Sequence, residues 1–267
     1  MDRYRVAPGS QIDLSKWDPD DLAAFDGDKD DANELFEEMV ERIAELQHVM
    51  WAENKHSLLV VIQAMDTGGK DSTIRSVFSG VNPQGVRVAN FKAPTSTELE
   101  HDYLWRVHPH TPGKGEIAVF NRSHYEDVLI VRVLGLAPEE RWSRRYRHIR
   151  EFEQLLADEG TTIVKLYLHI SKEEQAERLQ DRLDTPHKLW KFNKGDLKHR
   201  ALWQDYMEAF EVMLGETSTE AAPWYIIPAN RKWYRNYVIG QILVDVLESL
   251  DMQFPAPEEG LEGIEID

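Results

Sequence analysis

Apolar positions along the chain switch repeatedly between strand-like runs and helix-like spacing. Ser57–Gln63 (SLLVVIQ) is an unbroken apolar run, as a parallel strand buried on both faces requires. Thr161–His169 (TTIVKLYLH) reads as a second buried strand. Gly85–Asn90 and Glu116–Phe120 read as two more, and Trp224–Ile227 as a short last one. From Asp30 to about Glu53, Leu35, Met39, Ile43, Leu46 and Met50 recur at helical spacing. A closing helix from about Arg231 to Leu250 carries Tyr237, Ile239, Ile242, Leu243, Val246 and Leu250 on one stripe. Further helices are expected from Asp71, over Thr97–Val107, over Ser123–Leu134 and over Pro138–Asp158. Residues 1–28 look irregular, broken by Pro8, Gly9, Pro19 and Gly27. Strands alternating with helices predict an α/β fold, a parallel sheet covered on both faces.

One stretch interrupts that alternation. About fifty residues separate the strands at Thr161 and Trp224, more than one crossover helix needs. Ser171–Asp184 and His199–Leu214 read as helices, and the intervening TPHKLWKFNKGD is basic and aromatic. The reading is a single domain over 1–267, with an N-terminal extension and helix over 1–56 and a helical lid over 171–214.

Composition narrows the classes. With 267 residues, 42% of them hydrophobic, there is apolar material for one large core. No apolar run is long enough to span a membrane, and MDRYRVAPGS has no apolar signal region, so a cytoplasmic location is expected. There is no cysteine, which excludes disulfides and thiolate metal sites. A formal net charge of −17 opposes nucleic-acid and anionic-membrane binding. The acidity is concentrated in Asp18, Asp20, Asp21, Asp26, Asp28, Asp30 and Asp31, and in Glu258, Glu259, Glu262, Glu265 and Asp267. Cations for an anionic substrate must therefore be gathered in the middle of the chain.

They are. Ala64–Thr73 (AMDTGGKDST) leaves a strand and opens a helix, where glycines turn successive backbone N–H groups toward one anion and Lys70 adds a mobile cation. Against the usual phosphate-loop pattern, Ala64 replaces the first glycine and Asp71 separates Lys70 from the hydroxyl residue. Asp66 inside such a cradle would repel phosphate unless a metal lay between them, so it is either a Mg²⁺ ligand or a catalytic group, the alternative being a loop cap. Asn121–Asp127 (NRSHYED) follows another strand end. Arg122 offers a fork to phosphate oxygens and Asp127 a second Mg²⁺ ligand, while Ser123 is equally readable as an N-cap with Glu126 completing a capping box. In the lid, Arg178 and Arg182 share a helix face, with Lys188, Lys191, Lys194 and Lys198 beyond; pairing with Glu174, Glu177 and Asp181 is the rival use. Arg75 and Lys92 fall near strand ends, and Asn230, Lys232 and Arg235 follow the last strand, where at least one of them is expected to face the phosphates. The candidate catalytic set is Asp66, Lys70, Arg122, Asp127, Arg178 and Arg182, with Asp66 and Asp127 as metal ligands. The candidate substrate contacts are Thr67, Gly68, Gly69, Asp71, Ser72, Thr73, Arg75, Lys92, Asn121, Ser123, His124, Glu126, Lys188 and Lys191.

AMDTGGKDST, FKAPT, FNRSHYEDV, SKEEQAERLQDRLDTPHKLWKFNKGDLKHRALWQDY and PANRKWYRN together resemble the polyphosphate kinase 2 family, in that family's order over roughly residues 30–250. The resemblance implies a P-loop kinase fold like thymidylate kinase with a helical lid, homo-oligomeric assembly, and transfer between inorganic polyphosphate and nucleoside phosphates, for which Asp66 and Asp127 would hold the Mg²⁺. By matching motif, Asp66 and Lys70 belong to the Walker A loop, Asn121, Arg122 and Asp127 to the Walker B segment, and Arg178 and Arg182 to the lid. Asn121 with Glu126–Asp127 resembles the subgroup acting on both mono- and diphosphates. Two rivals stay open: an ATP-dependent nucleoside monophosphate kinase, and a non-catalytic polyphosphate- or nucleotide-binding module.

Overall fold

The computed structural model describes residues 1–261 together with 264 and 266. The acidic residues Glu262, Glu265 and Asp267 lie outside the described residues. At the centre is a five-stranded parallel sheet made of β1 (Ser57–Ala64), β2 (Val86–Asn90), β3 (Ile117–Asn121), β4 (Thr161–His169) and β5 (Trp224–Pro228). The spatial order is β2-β3-β1-β4-β5. Period-two alternation divides each strand between two cores. Leu59 and Val61 of β1 face one core with Phe120, Ile163, Tyr167 and Trp224, whereas Leu58, Val60 and Ile62 face the other with Val119, Val164, Leu166 and Leu168.

The second core is covered by α1 (Lys29–Glu53), α2 (Lys70–Val77) and α10 (Lys232–Glu248). α1 starts at an Asp28–Asp31 capping box and stops where Asn54 turns left-handed. Its expected stripe holds except at Leu35, which is exposed. α1 and α10 pack against one another closely; a Cβ on Gly240 would meet Met39 and Phe36. The first core is covered by α6 (Arg145–Asp158) and α9 (Trp203–Thr217).

Three expected helices come out differently. Thr97–Val107 holds only the short α3 (Ser96–Leu99); beyond it Asp102 accepts from the N–H groups of Leu104 and Trp105, at 3.0 and 3.2 Å, and ties the backbone into a turn. Ser123–Leu134 is a 3-10 turn at His124–Asp127 followed by α4 (Ile130–Val133). Pro138–Asp158 is split into α5 (Glu139–Trp142) and α6. Between β4 and β5 the chain makes α7 (Lys172–Asp184), a 3-10 turn at Pro186–Lys191, α8 (Lys194–Ala201) and α9.

The first 21 residues lack regular strands and helices beyond two 3-10 turns, yet they are packed. Val6 N–H donates to Trp224 O at 2.8 Å and Arg5 makes an antiparallel bridge to Tyr225, so this segment covers the free edge of β5. Tyr4 Oη bonds Tyr234 Oη at 2.6 Å, and His169 at the end of β4 meets Trp17 O at 3.0 Å. Among the described residues no helix is long and apolar enough to cross a membrane.

Candidate active site

Adjacent parallel strands deliver two loops to one place. β1 and β3 pair in register from Leu58↔Ile117 to Ile62↔Asn121, so the glycine loop and the 121–127 loop leave the sheet side by side at its carboxyl edge. Both are bent tightly. Thr67 and Arg122 hold positive φ angles of 62° and 61°, unusual for residues with a Cβ and a sign of strain kept at a functional loop. Gly69, at φ 101°, opens α2, and its carbonyl accepts from the hydroxyls of Ser72 (2.8 Å) and Thr73 (3.0 Å). Asn121 Nδ2 donates to Asp71 Oδ1 at 2.5 Å, which ties the two loops together.

Asp66 is the centre of this arrangement. Arg122 Nη2 donates to its Oδ1 at 2.6 Å, His199 Nδ1 lies 2.7 Å from its Oδ2, and Gln175 Nε2 donates to its carbonyl at 3.0 Å. Burial alone would raise the Asp66 carboxyl, but the His199 hydrogen bond and the charges of Lys70 and Arg122 outweigh it and hold the group well below the usual range. The same bond raises His199. Arg122 Nη1 also reaches Glu126 at 3.5 Å, so one guanidinium bridges two carboxylates. Lys70 is buried and folds back on its own loop, donating to Ala64 O (2.8 Å) and Met65 O (3.2 Å). Burial, with Arg122 nearby, brings it down to about 8.

The β4–β5 insertion closes over these groups. Arg178 of α7 donates to Thr67 O at 3.1 Å, Ala229 O at 2.6 Å and Asn230 O at 3.0 Å, bridging the glycine loop to the end of β5, while its Nε pairs with Glu174 at 2.6 Å. His199 of α8 and Tyr206 of α9 line a small cavity with Asp66, Arg122 and Glu126; its volume is about 20 Å³, room for about one water. A wider hollow of about 510 Å³ lies between Trp105, His108 and Phe152 and contains none of these groups.

A strand-end glycine loop, a second charged loop beside it and a helical cover are shared by many phosphate-handling folds; the full sequence is more selective. The family model described as Polyphosphate kinase 2 (PPK2) matches residues 26–255. The chain belongs to the polyphosphate kinase 2 family. It is 58% identical over 267 residues to the AMP/ADP-polyphosphate phosphotransferase of Meiothermus ruber, covering 100% of both chains. It is 45% identical over 265 residues to the ADP-polyphosphate phosphotransferase of Rhodopseudomonas palustris, covering 95% of this chain and 91% of that one. The crystal structure of Polyphosphate Kinase 2 from Arthrobacter aurescens TC1 superposes with a TM-score of 0.94 at 44% identity, covering 97% of this chain and 92% of the other. The sheet and its flanking helices are therefore a polyphosphate kinase 2 fold, of the P-loop kinase type.

Within that family frame the structure sorts the expected residues. Asp66, Thr67, Gly68 and Gly69 lie in the glycine loop, Lys70, Asp71, Ser72 and Thr73 in the first turn of α2, and Asn121, Arg122, Ser123 and Glu126 at and just beyond the end of β3, while Arg178 reaches the glycine loop at Thr67 O. Asp127 does not line the Asp66 cavity. A 3-10 turn points successive side chains about a third of a revolution apart, so while Glu126 meets Arg122, Asp127 turns to Arg145 Nη1 at 2.7 Å. Burial pushes Asp127 up to about 6 despite Arg145 and Arg106.

His124, expected at the substrate, is instead buried behind the loop, 3.2 Å from Glu153. Arg182 faces Lys191 O (3.0 Å) and Asp196 (3.3 Å), and Lys188 pairs with Asp181 at 2.7 Å, so both tie the insertion to itself. Lys191 lies over the Trp190 ring, and Arg75 and Lys92 are exposed.

Sequence reasoning missed His199 and Tyr206 as site residues, since a lone histidine in a basic segment has no ligand spacing to mark it. It also missed the ion pair of Glu153 with Lys165 at 2.6 Å, although a lysine inside TTIVKLYLH was a visible signal.

Proposed function

We propose that this chain transfers a phosphoryl group between inorganic polyphosphate and AMP or ADP, in either direction, by direct in-line displacement. The observation that carries the reading is Asp66: a carboxylate on a glycine loop, held by Arg122 of the neighbouring strand end and His199 of the insertion. The activities named for the relatives from Meiothermus ruber and Rhodopseudomonas palustris support the substrate pair, and the former, the more similar of the two, supports acceptance of both AMP and ADP. Phosphoryl transfer asks mainly for positioning and for neutralising charge spread over phosphate oxygens. Lys70 has only loop carbonyls to leave when it turns to a phosphate. Arg122 supplies a fork, and Arg178 joins the loop from α7. No strong base is needed, because the acceptor is already an ionised phosphate. The insertion acts as a lid that excludes water while Asp66, Arg122 and His199 stay together.

A hard divalent cation fits the oxygens present. Thr67 Oγ1, on the same loop as Asp66, is buried without a partner among the described residues, and Asp66 and Glu126 put two carboxylates on Arg122. These residues would hold Mg²⁺, which would offset the negative charge of the phosphates. Mg²⁺ takes only one or two protein carboxylates beside substrate phosphates, so the lack of a cluster of three or more acidic or imidazole ligands among the described residues is no obstacle. Asp127, the other expected ligand, shares its Oδ1 with Arg145. Homo-oligomeric assembly and a cytoplasmic location, where nucleotides and polymer meet, belong to the same reading.

The test is product analysis. ADP with polyphosphate and Mg²⁺ should give ATP, and AMP should give ADP and then ATP, with Asp66→Asn reducing turnover on the order of 100-fold or more. Turnover that demands ATP as donor and ignores polyphosphate would replace this reading with a nucleoside monophosphate kinase.

A further inference from the structure

Arg235 occupies the first turn of α10 and its side chain is almost wholly buried, at 1% exposure. Its hydrogen bonds go to neutral oxygens alone: Nη1 to Ser72 Oγ at 3.3 Å, and Nε and Nη2 to Asn236 Oδ1 at 3.2 and 2.7 Å. Among the described residues no carboxylate pairs with it; the acids that act on Lys232 are committed, Glu174 to Arg178 and Asp181 to Lys188. Its charged neighbours are cations. Burial, and Arg178 after it, bring Arg235 down to about 9, and burial with Arg178 and Arg235 lowers Lys232. A guanidinium taken out of water without a counter-charge destabilises the fold, so its retention calls for a reason outside the protein's own contacts.

The position supplies one. Arg235 Nη1 sits against the glycine loop, where a methyl on Gly69 would land on it. Arg178 reaches the same loop at Thr67 O. Arg235 does not line the small cavity shared by Asp66, Arg122 and Glu126.

We propose that Arg235, with Lys232, forms a second phosphate subsite on the α10 side of the glycine loop, which takes a phosphate group next to the one that Arg178 helps to transfer. The subsite rests on reading the loop as a phosphoryl-transfer site. The ligand chemistry is a phosphate oxygen cluster, and its two sources are the polyphosphate chain and the nucleotide. A guanidinium fork suits either, because it offers parallel N–H donors to two oxygens of one phosphate.

The experiment measures binding directly, so that it does not depend on turnover. Wild type, Arg235→Met, Arg235→Lys and Lys232→Ala are titrated by calorimetry with a polyphosphate of defined length, and separately with ADP, and each is melted without ligand. The expected result for Arg235→Met is an equal or higher ligand-free Tm, with binding of one ligand weakened by about tenfold or more. Arg235→Lys should regain part of that loss, and Lys232→Ala, at an exposed position, should weaken the same arm. The arm that weakens names the source of the phosphate.

A fall in ligand-free Tm with both affinities unchanged makes Arg235 a structural residue and overturns the proposal. If Arg235→Met cannot be purified folded, Lys232→Ala with both affinities unchanged overturns it equally. Absence of polyphosphate-dependent turnover in the wild type would sink the proposed function instead, and would leave these affinities readable.

Discussion

At the scale of single residues, two arginines one helical turn apart have separate fates. Arg178 and Arg182 share a face of α7, and nothing in their spacing distinguishes them. Only Arg178 reaches the glycine loop; Arg182 is spent on Lys191 O and Asp196 inside the insertion. Arg178→Met should therefore lower kcat on the order of 100-fold, as loss of one charge-stabilising donor does in other transfer enzymes. Arg182→Met should change it by less than about tenfold and act mainly on thermal stability. Steady-state kinetics with ADP and polyphosphate decides this, and equal losses in kcat would show that both reach substrate when the lid is loaded. Motif chemistry marked Asp66, Lys70 and Arg122 correctly as neighbours because each needs only its own loop. It did not show that Asp127 faces Arg145 and not the Asp66 cavity, because which of two successive acids faces a cleft depends on the pitch of the turn that carries them.

At the scale of elements, the sequence was most legible where the environment is simplest. SLLVVIQ and TTIVKLYLH became β1 and β4 within one residue of expectation, since a strand buried on both faces has no other use for such runs. Ser123–Leu134 was misread because distant side chains set its geometry. Tyr125 Oη donates to Glu153 at 2.6 Å, and Lys165 Nζ donates to Tyr125 Oη, Glu153 and Thr217 O at 2.9, 2.6 and 2.7 Å. These bonds join α6, β4 and α9 and draw the 124–127 turn inward, overriding its helical pattern. Although burial raises Glu153, the Lys165 charge and the His124 hydrogen bond prevail, and the carboxyl stays low. Lys165→Met should cost about 3–5 kcal/mol by leaving the Glu153 carboxylate buried without the lysine charge. Lys165→Met with Glu153→Leu should regain part of that loss, because both charges then go. Urea unfolding of the three proteins measures it, and a double variant no more stable than the single would mean that the pair is not held as ions.

For the whole molecule, the segment read as an irregular N-terminal extension is part of the packed fold. Composition marked residues 1–28 by their prolines and glycines, but no local pattern could say that Tyr4, Val6 and Leu14 are buried against the sheet edge and the helices beside it. His169 reports on this docking. It lies at the carboxyl end of β4 with Nε2 facing Trp17 O and Nδ1 buried without a partner among the described residues, so it is accommodated in its neutral form. Burial lowers it from the ordinary 6.5 to about 4, with the Trp17 and Leu14 backbone contacts opposing. The unfolded chain then binds a proton that the folded chain refuses between those values, so stability is full above pH 6.5 and is lost as pH falls toward 4. The shift corresponds to about 3 kcal/mol. His169→Gln, which keeps a donor for Trp17 O but does not titrate, should be less stable than wild type at pH 7.5 and close most of that gap by pH 4.5. Chemical denaturation at both pH values in chelator would measure it. A gap that stays constant would mean that His169 is protonated in the fold, and that the N-terminal segment opens to solvent far more readily than its contacts imply.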